Sequence, residues 1–117
     1  MPVKTMDKKV KGYLLWEIQN YPQTKRRLNA VQNGVQSRHE TCFSNLYLQR
    51  LEKTTMAIEK VLQKMEPFQV ELLELLYWRK THNAAGVGMQ LGASERTIYR
   101  WLDQIVYDVG RELGYWM

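Results

Sequence analysis

The stretch Val87-Gly88-Met89-Gln90-Leu91-Gly92-Ala93-Ser94-Glu95-Arg96-Thr97-Ile98 decides the fold. A helix-turn-helix needs a short first helix, a tight turn and a second helix whose outer face is free. The close crossing calls for a small residue inside the first helix, which Gly88 supplies. The turn calls for a residue that accepts positive φ, and Gly92 follows directly on Leu91. Ser94 then fits an N-cap, its hydroxyl accepting from the amide of Arg96 or Thr97. Downstream, Ile98, Leu102, Ile105, Val109 and Leu113 recur at intervals of four, three, four and four residues. That spacing makes one continuous inner face on a last helix running from Ser94 to about Leu113.

The outer face of its first turns is left with Glu95, Arg96, Thr97, Tyr99, Arg100 and Asp103. Arginine donates two bonds to guanine, glutamate accepts from cytosine, and threonine and tyrosine reach bases or phosphates. The helix N-terminus adds free amides for a phosphate. These are the groups a major-groove reader needs. A charged face opposite an apolar stripe needs no ligand, however, so periodicity by itself leaves DNA binding and an ordinary solvated surface equally open.

Working outward, every other segment also reads as helix, with no sustained strand alternation. Pro67 starts an apolar helix over Phe68–Trp78. Before it, Leu48, Leu51, Thr55, Ile58, Leu62 and Met65 alternate three and four apart on a long helix from about residue 38 to Met65. Ser37 and Glu40 have the form of a capping box at its start. The seam fits a bundle with the first two helices of the same chain, or a coiled coil between two chains; Thr55 in its middle weakens the second. A first helix is expected from about Thr5 to Asn20, with Val3, Met6, Val10, Tyr13, Leu14 and Ile18 inward. Pro22 ends it and suits the first turn of a second helix, closed by Gly34 as a C-terminal cap. The fold class is therefore all-α: an N-terminal helical region over 1–66 and a helix-turn-helix domain over 67–117.

The chain has 117 residues, 44% of them hydrophobic, which is enough for one modest folded unit. No apolar run approaches the roughly 20 residues of a membrane span, and the start of the chain does not read as a signal peptide. Cytoplasmic location in a bacterial host cell is expected. The net charge of +5 is unevenly spread: residues 1–39 carry eight basic and two acidic side chains, and residues 81–117 three and four. Binding strength at phosphates comes from Lys and Arg, so the expected reading helix lies in the less basic part. Lys8, Lys11, Lys25, Arg26 and Arg27 are expected to lie beside it and contact phosphates; Arg79 and Lys80, just ahead of the motif, are a second source. His39 and Cys42 sit three apart, but His82 is the only other soft ligand, and a structural zinc site usually needs four. No cofactor, metal site or catalytic constellation is expected. Trp16, Trp78 and Trp101 are expected in the core, whereas Tyr115 and Trp116 read as an exposed end.

Leu72-Leu73-Glu74-Leu75 with Tyr77-Trp78, followed by Val87-Gly88-x-x-Leu91-Gly92-Ala93-Ser94-x-x-Thr97-Ile98, resembles sigma-factor region 4 over roughly residues 67–113. Two departures stand out. Gly88 replaces the usual Ala, which should loosen that helix by roughly 0.5–1 kcal/mol, and the Arg79–Ala85 connection is one residue longer. A narrower resemblance covers more of the chain. Leu15-Trp16-Glu17-Ile18-Gln19-Asn20-Tyr21-Pro22 followed by basic residues, and the ending Arg111-Glu112-Leu113-Gly114, are similar to phage late-gene transcriptional activators of the RinA/ArpU type.

That resemblance implies a phage or prophage regulator that binds double-stranded promoter DNA, with Ser94–Arg100 as the DNA-contacting segment. Two other functions are open to the sequence. One is a DNA-packaging small terminase subunit, which pairs a helix-turn-helix with an oligomerising region. The other is a region-4-like module that touches RNA polymerase or a sigma factor rather than DNA. A homodimer through the helix of residues 38–66 is a possible accompaniment to any of them.

Overall fold

The computed structural model describes residues 8–32 and 45–115. Six α-helices occur among them: α1 (Lys8–Gln19), α2 (Tyr21–Gln32), α3 (Asn45–Lys64), α4 (Pro67–Leu73), α5 (Ala84–Leu91) and α6 (Glu95–Glu112). The described residues contain no strand, so the chain is all-α. Gly34, the Ser37–Glu40 capping box, the beginning of the long helix near residue 38, the His39–Cys42 pair, Trp116 and the inward positions Val3 and Met6 lie outside the described residues.

The joints follow local chemistry. Asn20 is the single residue between α1 and α2, and its side-chain amide donates to the Trp16 carbonyl at 2.8 Å. Pro22 occupies the first turn of α2, where its missing amide has no partner to lose. Glu66 precedes α4, and its backbone N–H donates to the Gln69 side chain at 2.9 Å, with Pro67 opening the helix.

The expected helix over 68–78 is not uniform. After Leu73 it changes to a π-helical turn over Glu74–Trp78. The Arg79 amide reaches back five residues to the Glu74 carbonyl. A π turn accommodates one extra residue, and here it keeps Leu72, Leu73 and Leu75 buried while swinging Trp78 towards α1. The Trp78 indole then donates to the Ile18 carbonyl at 2.9 Å. Immediately after it, Lys80 takes a φ of 56°, a left-handed conformation uncommon outside glycine. The amides of Thr81 and His82 both donate to the Leu75 carbonyl, at 3.0 and 3.2 Å, and pin that corner.

One core cluster joins Leu14 and Ile18 of α1, Ile58 and Val61 of α3, Leu72 and Leu73 of α4, Val87 of α5, and Ile98, Leu102, Ile105, Val106 and Val109 of α6. The cluster runs across residues 66 and 67, where the sequence places a division. α6 is its hub, packing against α5, α3 and α1. That surrounds more of α6 than a single stripe, which is why Val106 and Tyr107 are buried beside the expected inner face, while Leu113 is only half-buried.

The heptad seam of α3 is used within the chain. Thr55 and Ile58 are buried, and Leu48, Leu51, Leu62 and Met65 are half-buried. Its main partners are α2 and α6 rather than α1 and α2. Two neighbours on different sides explain why Thr54, Ala57 and Val61, off the seam, are buried as well. Among the described residues no helix is long and apolar enough to cross a membrane.

Candidate nucleic-acid interface

The turn between α5 and α6 is built from its glycines. Gly92 has φ 73° and ψ 35°, a left-handed C-cap. The carbonyl of Gly88 accepts from the amides of Gly92 and of Ala93, the latter at 2.8 Å. A Cβ on Gly88 would stand 2.4 Å from the Ala93 carbonyl oxygen. The close crossing expected at Gly88 is present, and it is tighter than a small residue in general would allow: the turn lies too close to α5 to admit any side chain. Asn83 caps α5, its side-chain oxygen accepting from the Gly86 amide at 2.8 Å. That cap starts the helix at Ala84.

Ser94 caps α6, its hydroxyl accepting from the Thr97 amide at 3.1 Å. The Ser94 and Thr97 hydroxyls also lie 3.0 Å apart, so Thr97 is drawn into the cap and is half-buried. Buried Ile98 and Leu102 turn the opposite face outward. Glu95, Arg96, Tyr99 and Arg100 are all exposed there, with Tyr99 52% accessible. None of Glu95, Arg96 and Arg100 has an ion-pair partner among the described residues. On α5, Met89 is 86% accessible and Gln90 is exposed beside it.

The N-terminal cations divide into groups. α1 packs on α6, and Lys11 forms an ion pair with Asp103 at 2.5 Å. Asp103 lies three and four residues beyond Arg100 and Tyr99, on the same side of α6. Lys11 thus neutralises the acid on that side, and Lys8 stands exposed one turn away. α2 packs on α3 instead of α6. Lys25 is taken up by Glu59 of α3, whose carboxylate also accepts from the Tyr21 hydroxyl at 3.0 Å. The expected placement of Lys25 beside α6 is therefore corrected, because the α2–α3 contact holds its ammonium. Arg26 and Arg27 are exposed on the same helix. Arg79 pairs with Glu74 at 3.1 Å on an open surface, and Lys80 is exposed.

Trp16 is 57% accessible, which corrects its expected place in the core. It follows Leu14 by two residues, about 200° around a helix, so the buried Leu14–Ile18 stripe turns it outward. Trp78 and Trp101 are half-buried: Trp78 packs near Tyr21 with ring centres 5.8 Å apart, and Trp101 against Phe68 at 4.7 Å. Tyr77 is half-buried on the π turn. Burial pushes its phenol above the ordinary tyrosine range, a hydrogen bond from Gln19 acts the other way, and the nearby Tyr99 and Asp103 add to the rise. Gln19 and Tyr77 had no periodic signal of their own, since their position depends on how α1 crosses α6.

Among the described residues, no three His, Cys, Asp or Glu side chains are grouped to hold a metal ion. No family model matches this chain. No characterised protein matches it, and no solved structure does.

Proposed function

We propose that this chain is a sequence-specific DNA-binding regulator of transcription whose reading element is the first two turns of α6. The observation that carries the reading is the uncovered face of Glu95, Arg96, Tyr99 and Arg100 on a helix held at a short glycine turn. An α-helix presented in this way fits the major groove, and the two arginines supply the commonest donor pair for guanine. The flank supports it too: Lys11 neutralises Asp103 at the far end of the face, and Lys8 extends a basic edge for a phosphate strand. The resemblance to phage late-gene activators supports a phage or prophage regulator acting at a late promoter as the setting of this reading.

The test is binding to the DNA upstream of its own gene against a scrambled duplex, with and without Arg96→Ala plus Arg100→Ala. Each bidentate base contact contributes about 1–3 kcal/mol of discrimination. The double variant should therefore lose at least tenfold of any preference between the two duplexes. A wild-type chain that binds both duplexes alike would refute the reading.

A second reading draws on Met89. An 86% accessible thioether beside the turn, with an acidic balance over residues 81–117, fits a module that docks on RNA polymerase or a sigma factor. Retention of polymerase by the chain in DNA-free extract, lost on Met89→Glu, would favour it.

A further inference from the structure

A groove of about 610 Å³ runs between the α1–α2 corner and the π turn, lined by Trp16, Gln19, Asn20, Arg26, Tyr77 and Lys80 among others. Its chemistry is one-sided. Gln19, Asn20 and Gln23 carry amide donors, Trp16 an indole N–H, Arg26 and Lys80 positive charge, and no Asp or Glu lines it. Neither Arg26 nor Lys80 has an acidic partner among the described residues, unlike Lys11, Lys25 and Arg79. The groove is thus supplied with donors and cations and short of anions, the complement of a phosphodiester strand.

Three features of the fold build it. The π turn brings Tyr77 and Trp78 to its wall. The left-handed backbone of Lys80, pinned through the Leu75 carbonyl, carries that residue to its rim. The Trp78 indole ties this wall to the Ile18 carbonyl of α1, so the opposing walls cannot drift apart independently. π turns and left-handed non-glycine residues recur at functional sites, and here both border one groove.

We propose that this groove holds a stretch of the sugar–phosphate backbone of the same duplex that α6 reads, with Arg26 and Lys80 each at a phosphate. The inference rests on the reading above, and continuity with the reading face selects the occupant. Trp16 and Gln19 of α1 line the groove, and α1 packs along α6, where its Lys11 pairs with Asp103. A helix seated in a major groove has a phosphate strand along each side. Lys8 stands at the N-terminal end of α1, and this groove, at the C-terminal end of the same helix, offers Arg26 and Lys80. The cations of α2 thus reach DNA through a site shared with the π turn, although α2 itself does not pack on α6.

The experiment is a salt titration of affinity for a random-sequence duplex, comparing the wild-type chain with Arg26→Gln plus Lys80→Gln. A second doublet, Arg50→Gln plus Lys53→Gln, makes the same charge change at a different groove. Each lost phosphate contact lowers the slope of log affinity on log salt by about 0.9. The Arg26/Lys80 doublet should therefore flatten the slope by about 1.8, so that roughly tenfold less affinity is lost between 50 and 200 mM salt. The Arg50/Lys53 doublet should leave the slope near wild type. Equal flattening by both doublets would overturn the proposal in favour of diffuse attraction. An unchanged slope with Arg26 and Lys80 replaced would overturn it too. So would a polyglutamate chain that binds wild type and not the Arg26/Lys80 doublet, with duplex affinity the same in both; the occupant would then be an acidic protein segment. Failure of the sequence reader is a separate result: no discrimination between upstream and scrambled DNA, whatever the salt slope.

Discussion

Replacing Gly88 by alanine sets two effects of opposite sign against each other. In a helix interior the exchange ordinarily stabilises by roughly 0.5–1 kcal/mol, because glycine loses more backbone freedom on folding. At Gly88 the added Cβ meets the Ala93 carbonyl oxygen at 2.4 Å. The obstacle is backbone, and it cannot rotate aside as a side chain would. It is also held in place by the Ala93 amide, which donates to the Gly88 carbonyl at 2.8 Å. Relief requires the turn to lift away from α5. The usual cost of overpacking, about 1–3 kcal/mol, then applies, with about 1 kcal/mol more if that hydrogen bond breaks. Set against the gain in helix propensity, the net loss is about 1–3 kcal/mol. Gly12 is the matched control: it lies within α1, and a Cβ there meets nothing within 4 Å. Gly12→Ala should accordingly stabilise by roughly 0.5–1 kcal/mol. Urea unfolding followed by circular dichroism measures both variants against wild type. A Gly88→Ala chain as stable as Gly12→Ala would refute the close approach of turn and helix. Because the same turn aims α6, Gly88→Ala should also weaken duplex binding under conditions where the variant remains folded.

Ser94→Ala removes the cap of the reading helix and should cost about 1 kcal/mol in urea unfolding, with Ser94→Asp restoring most of it. Trp78→Phe deletes the bond to the Ile18 carbonyl and should cost at least about 1 kcal/mol, together with some loss of order between α1 and the π turn, seen in hydrogen exchange. The Glu59 carboxyl lies below its ordinary range, chiefly through its hydrogen bond from Lys25, with burial opposing and Tyr21 assisting. A depressed carboxyl stabilises the fold above its unfolded value and loses that contribution as pH falls through the folded one. Wild type should therefore exceed Glu59→Gln by up to about 1 kcal/mol at neutral pH, the pair being partly open to solvent, and the gap should close in acid. Tyr21 behaves in the opposite sense: burial, then its bond to Glu59, pushes its phenol up to about 12. Its contribution is intact below the unfolded value near 10 and should fade between pH 10 and 12, a loss that Tyr21→Phe would not show in an alkaline unfolding series.

The helix-turn-helix was legible in the sequence because it is local. Gly92, Ser94 and the Ile98–Val109 spacing act through hydrogen bonds and periodicity within a few residues, and each reappears in the structure as a left-handed cap, an N-cap and a buried face. The same holds for Pro22 and Pro67, whose missing amides confine them to the first turn of a helix. The outward place of Trp16 was misread, although its angle from Leu14 and Ile18 follows from helix geometry alone. Its size and apolarity argued for the core, and position on the helix prevailed.

What tertiary structure alone decided is where distant segments meet. The partners of the α3 seam, the Lys11–Asp103 pair and the Lys25–Glu59 pair join residues far apart in the chain, and no short-range pattern encodes which cation finds which acid. The sequence called for a small residue at position 88, and the Ala93 carbonyl over it narrows that to glycine. The π turn likewise has no periodic signature: one added residue is tolerated because Leu75 must stay in the core while Trp78 reaches α1. Local sequence determined the helices, their caps and the chemical character of the exposed face of α6. Packing around α6 decided which charges remain free beside that face, because an ion pair depends on a crossing angle that the sequence specifies only through the whole core.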